Sequence, residues 1–216
     1  MIKNIVRIIV ALIFIASGFV KAVDAVGFSF KLEEYFSPGV FNLPFLEQFA
    51  LPISIFVVAL ELILGVALLL KMDMKRVLKI LITLCVFFGF LTFYSAYYNK
   101  VTDCGCFGDA IKFTPWQSFI KDIVLLIGLI ILWFLYKKDF KNEKSTFKNI
   151  VLLLAVIGSA FIIIKGIITE PIIDFRAYKI GTNLNDEKKK IAENPSEYKV
   201  FYTLKNKTTG ELKEVM

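Results

Sequence analysis

The chain has 216 residues, of which 57% are hydrophobic and 22 are Phe, whereas soluble domains stay near roughly 45–50% apolar. Lys+Arg 26 against Asp+Glu 19 leaves +7, there is no His, and the Cys count is three. This composition excludes a disordered chain, a nucleic-acid-binding tail, a compact water-soluble enzyme and a disulfide-stapled scaffold, and it removes the commonest general base and metal ligand.

Five stretches carry, or nearly carry, the roughly 20 apolar residues that a helix needs to cross about 30 Å of hydrocarbon. They run over about 5–23, 49–70, 77–98, 115–136 and 150–168. Apolar residues occupy every face of each stretch, as expected of helices in lipid.

The first span opens on Lys3 and Arg7. It also has the outline of a signal peptide, with Ala22 and Ala25 as the small residues, but Lys21 sits where the cut would fall. A lysine near a span end is expected to snorkel, keeping its ammonium in the headgroup layer. The segment GFSFKLEEYF (27–36) is too short and too charged to cross. It is expected as a short helix or bent segment at the headgroup level, either a plain anchor or an aromatic lid over a pocket. Ser37-Pro38-Gly39 then forces a turn.

Glu61 lies near the middle of the second span. A carboxylate at that depth is costly and marks a functional site by default. Depth counting from the span ends gives Ser17, Thr83, Cys85 and Ser159 as neighbours, none of them cationic. Glu61 is therefore expected to be protonated, hydrogen-bonded and turned inward. Its use is either proton handling or a fixed helix register. Cys85, in the third span, is expected as a small packing hydrophobe.

Between the third and fourth spans stands Asp103-Cys104-Gly105-Cys106-Phe107-Gly108-Asp109. Two thiols one residue apart can close a disulfide if the backbone bends, and Gly105 lowers the cost of that bend. So small a ring is strained, and strained disulfides are the more oxidising and labile ones. Asp103 and Asp109 oppose a thiolate, and Lys112 and Lys121 can offset them. A static clip, idle thiols and a soft-metal pair that would suit Cu(I) remain open beside thiol exchange.

Thr114-Pro115-Trp116-Gln117 reads as a capping box with Pro at the first helical position. Lys121-Asp122 follows and is expected to face protein rather than lipid, with Lys21, Asp24 or outer-loop groups as partners. Lys165 is expected to snorkel. Asp174 to Lys179 is expected as a clasp over the bundle mouth. Beyond it, 197–204 and 211–215 read as two strands around a turn at 206–210. A lone hairpin is marginal in water, so the tail reads as a domain only begun here.

Basic residues set orientation. Lys71, Lys75, Arg76 and Lys79 join spans two and three, and Lys137, Lys138, Lys141, Lys144 and Lys148 join spans four and five. The amino terminus is thus expected in the cytoplasm of an inner-membrane protein. The cysteine loop and carboxyl tail are expected outside, where disulfides persist.

SGFVK (17–21), ELILG (61–65) and DCGCFGD (103–109), followed by Lys121-Asp122, resemble the DoxX-like membrane proteins, and the cysteine loop resembles their MauE branch. The resemblance covers about 5–138. It implies a four-helix core and a link to periplasmic thiol or quinone chemistry, and the fifth span and tail depart from it. The expected architecture is an all-α integral membrane protein. Residues 1–138 form a four-helix bundle, 139–168 a basic cytoplasmic loop and fifth span, and 169–216 a small exported α/β or β-hairpin tail. The expected function is thiol–disulfide exchange by Cys104 and Cys106 with an exported thioredoxin-like or disulfide-containing partner. Glu61 would handle protons and Lys21, Lys121, Asp122, Asp103 and Asp109 would support; quinone is the cofactor considered, and no resident metal is expected. The rival readings are a non-catalytic scaffold for an exported protein and a soft-metal or small-solute binder.

Overall fold

The computed structural model describes residues 2–98, 113–137, 145–169, 171–173, paired strands at 202–205 and 212–215, and single positions 140, 183, 185, 188 and 189. The chain divides into two compact units, Met1–Arg176 and Ala177–Met216.

The first unit is helical. Its elements are α1 (Ile2–Val23), α2 (Ala25–Phe36), α3 (Pro44–Glu47), α4 (Ala50–Leu69), α5 (Met74–Tyr98), α6 (Pro115–Tyr136) and α7 (Thr146–Ile168). Five of these, α1, α4, α5, α6 and α7, are long and apolar enough to cross a membrane. Each of the first four packs on two of the others, in the order α1–α4–α5–α6 and back to α1. Helix α7 leans on α1, α2 and α4 and buries only Ser159 and Ile163.

Local chemistry sets the breaks. Asp24 interrupts the first helical run and caps the second, its carboxylate accepting from the Gly27 amide at 2.8 Å. An acidic cap there satisfies an amide that the new helix leaves orphaned. Pro38 has no N–H to continue α2, and its end is closed by Ser37, whose amide donates to the Glu33 carbonyl at 2.9 Å. Between α4 and α5 the chain reverses through Lys71 at φ 56° and Asp73 at φ 30°. The Thr114 hydroxyl accepts from the Gln117 amide and the Gln117 side chain accepts from the Thr114 amide, so the capping box forms as its sequence predicts.

Helices α1 and α4 run antiparallel at very close range. A Cβ placed on Gly18 would lie 3.0 Å from the Leu62 amide nitrogen, and one on Gly65 would lie 3.1 Å from the Ile15 amide nitrogen. Glycines let two backbones approach where lipid offers no hydrophobic drive to hold helices together. This contact also sets the register: Ile15 faces Gly65 and Gly18 faces Leu62, so Lys21 comes level with Ala59. Val23, the end of α1, then falls level with about Val57. It stops roughly 10 Å short of the start of α4, at about 1.5 Å per residue.

Helix α2 fills that gap. Its Phe28, Leu32 and Phe36 pack with Ala50, Val57 and Val58 of α4 and Ile163 of α7. The Ser54 hydroxyl donates to the Ala25 carbonyl at 2.6 Å. The expected short helix at 27–36 is thus a twelve-residue packed element with one buried face. A second apolar cluster joins Val10, Phe14, Leu68, Leu78, Leu81, Leu129 and Tyr136 at the other end of the ring. In the second unit, β1 (Tyr202–Lys205) pairs antiparallel with β2 (Leu212–Val215), Tyr202 opposite Val215 and Lys205 opposite Leu212.

Candidate functional site

Two of the buried charged side chains, Lys21 and Glu61, meet between α1 and α4. Lys21 Nζ lies 2.5 Å from Glu61 Oε2, with the two side chains only 2% and 5% exposed. The ammonium sits over two ring faces, 4.8 Å from the Phe88 centroid and 5.4 Å from the Phe28 centroid. Cation–π contact of this kind is strongest where water is excluded. The two rings are themselves 6.4 Å apart and tilted. Helices α1, α2, α4 and α5 each contribute one wall: Lys21, Phe28, Glu61 and Phe88.

Two expectations are corrected here. Glu61 has a cationic neighbour, and Lys21 does not snorkel. Counting depth inward from each span end assumes that the ends are level. The glycine contact shifts α1 against α4, and Lys21 comes within half a turn of Glu61. Lys21 stands at hydrogen-bond distance from Glu61, so the expectation of neutral neighbours alone is withdrawn.

A second ion pair lies between α5 and α6. Lys121 Nζ stands 2.9 Å from Asp122 Oδ1, and the Thr92 hydroxyl lies 3.1 Å from Asp122 Oδ2. Asp122 is buried, whereas the Lys121 side chain is 20% exposed. Gly89 gives the room: a Cβ there would meet the Asp122 Cβ at 4.0 Å. Lys121 and Asp122 thus pair with each other rather than with Lys21 or Asp24. The Thr92 hydroxyl also lies 3.0 Å from the Phe88 carbonyl and 3.2 Å from the Gly89 carbonyl. Its one proton therefore chooses among three acceptors. Cys85 is a free, buried thiol within electrostatic reach of both pairs.

Cys104, Cys106, Asp103 and Asp109 lie outside the described residues, as does the 174–179 clasp. The structure describes the ends that bracket the cysteine segment. Phe41, between α2 and α3, packs against Tyr94 of α5 at 4.7 Å, and Tyr94 packs against Tyr98 at 4.5 Å. Phe93 meets Phe119 of α6 at 5.3 Å, and Phe119 meets Trp116 at 6.1 Å. The last turns of α5 and the first turn of α6 are thus joined by rings. Among the described residues, no group of three or more His, Cys, Asp or Glu could hold a metal ion.

Sequence reasoning left Arg7 and Tyr136 unassigned. Arg7 Nη1 donates to the Leu68 carbonyl at 2.8 Å and to the Leu69 carbonyl, closing the carboxyl end of α4. A cation there meets the negative end of the helix dipole. The fully buried Tyr136 donates to Asn4 at 2.8 Å and lies beneath the ammonium groups of Lys3 and Lys71. The available signal was an arginine inside the first turn of an apolar run.

A family model described as methylamine utilisation protein MauE matches residues 1–135. A curated relative, Protein TlpB of Flavobacterium psychrophilum, is 34% identical over 165 residues. That match covers 73% of this chain and 43% of the relative, so the chain spans less than half the relative's length. No solved structure matches.

Proposed function

The chain belongs to the MauE family, and from that premise we propose that it is a multi-pass membrane protein of thiol–disulfide redox or protein maturation. In this reading α1, α4, α5 and α6 form the family's four-helix core, of DoxX type, while α7 and the hairpin tail are additions. The amino terminus lies in the cytoplasm, and the cysteine segment and tail face the oxidising side of the inner membrane. The observation that carries the reading is the Cys104-Gly105-Cys106 pair, which in the sequence follows α5 and precedes α6.

The exchange balances as follows. A thiolate of an exported dithiol partner attacks the Cys104–Cys106 disulfide, forming a mixed disulfide and freeing one thiol. The partner's second thiolate displaces the mixed bond. The partner leaves as a disulfide and this chain as a dithiol, having gained two electrons and two protons. A membrane quinone, as the two-electron oxidant, would restore the disulfide by taking up those two electrons and two protons as quinol. Glu61, with Lys21 beside it, would handle protons in that return step, and Lys121 and Asp122 would support it.

The test is capture. With Cys106 replaced by Ser and Cys104 left free, the membrane fraction should yield a mixed disulfide that reductant releases. Absence of any captured protein, with unchanged growth of the Cys104→Ser/Cys106→Ser strain, would refute exchange and favour a scaffold acting through the tail.

A further inference from the structure

We propose that the groove between the start of α5 and the end of α6 is a binding site for a glycerophospholipid with an anionic headgroup. The groove holds about 550 Å³ and is lined by Lys75, Lys79, Ile82, Thr83, Ile130, Trp133 and Phe134. Four of these form one stripe of α5 at helical spacing, and three form the facing stripe of α6.

Among the described residues the charge at its mouth is unbalanced. Lys75 and Lys79 stand one turn apart, both exposed. Like charges at that spacing repel. Among the described residues no carboxylate lies within ion-pair distance of either. The nearest acidic side chain in sequence, Asp73, is taken by Arg76 at 3.3 Å. Below the lysines the groove is apolar. Thr83 brings no free donor, because its hydroxyl donates to the Lys79 carbonyl at 3.0 Å. Trp133 has the amphipathic character favoured at the headgroup boundary.

This arrangement fits one amphiphile: an anion at one end and a hydrocarbon chain along Ile82 and Ile130. The flank it opens on carries the exposed Ile80, Ile127 and Ile131. That surface is a lipid boundary for two spanning helices, so the occupant arrives from the bilayer. Basic pockets between spanning helices favour anionic headgroups, each Lys near the surface contributing about 1 kcal/mol. Two lysines thus give an expected preference of about 30-fold over a zwitterionic lipid with the same chains.

The experiment uses the full chain purified in detergent. It is mixed with phosphatidylglycerol or phosphatidylcholine of matched acyl chains, and retained lipid is counted by native mass spectrometry. Phosphatidylglycerol should be retained about 30-fold more strongly. Lys75→Gln/Lys79→Gln should bring the two lipids to near parity, and Ile130→Trp, which narrows the groove along the acyl chain, should weaken retention of both lipids with both lysines in place. Arg76→Gln should leave retention unchanged. Equal retention of both lipids by the natural chain would overturn the site, as would an Arg76→Gln loss as large as that of the double variant. Displacement by soluble glycerol phosphate would overturn the lipid assignment in favour of a free anion. The groove shares no residue with the thiol reading, so either can fail while the other stands.

Discussion

Removing one member of the Lys21–Glu61 pair should strand the other charge in the core. The side chains are 2% and 5% exposed and 2.5 Å apart, so neither can reach water without opening the contact between α1 and α4. Breaking a buried pair from one side costs about 3–5 kcal/mol, whereas replacing both members with apolar residues is often neutral. Lys21→Met and Glu61→Leu, alone, should therefore each lower the thermal midpoint in detergent by roughly 6–20 °C, taking about 2–4 °C per kcal/mol for a chain of this size. The double variant should recover most of that loss, because Met and Leu can pack beneath Phe28 and Phe88. A double-mutant cycle read by thermal or denaturant unfolding should give a coupling of at least about 2 kcal/mol. Single variants that unfold within about 1 kcal/mol of the natural chain, or a double variant as unstable as the sum of the singles, would refute the buried pair.

Gly65→Val should separate α1 from α4, because even a Cβ would lie 2.9 Å from the Ile15 side chain and 3.1 Å from the Ile15 amide nitrogen. Overpacking of this kind costs about 1–3 kcal/mol, and unfolding of the purified variant measures it. Arg7→Met removes the donors that close α4 at the Leu68 and Leu69 carbonyls. A loss of about 1.5–3 kcal/mol, as for hydrogen bonds to a charged group, should follow in the same assay.

The spans were legible because apolar length is a strong signal. The capping box at Thr114 was legible because two side chains and a proline specify it locally. The partner of Glu61 was not. Its identity depends on the offset between α1 and α4, which two glycines set through a contact far apart in sequence. Once Gly18 and Gly65 are known to face the opposite backbone, Lys21 follows by register. The burial of α2 escaped for the same reason: its charged face suggested the headgroup layer, while its Phe28, Leu32 and Phe36 stripe fills the space that the offset of α1 leaves beside α4. Lys121 and Asp122 were legible as charges that face protein, but their pairing with each other was not, since it goes with the Thr92 contact and the space beside Gly89. The aromatic joint around Tyr94, Phe93 and Phe119 was written in the composition of α5, without a periodicity that would separate it from lipid-facing rings.

The most direct measurement of the thiol account is labelling of intact cells with a membrane-impermeant maleimide, before and after mild reductant, with each cysteine present alone or in pairs. The account predicts that Cys104 and Cys106 stay unlabelled as a disulfide, become labelled from outside once reduced, and leave the buried Cys85 unlabelled throughout. Labelling of Cys104 and Cys106 only after the cells are permeabilised, or equal labelling with and without reductant, would contradict it.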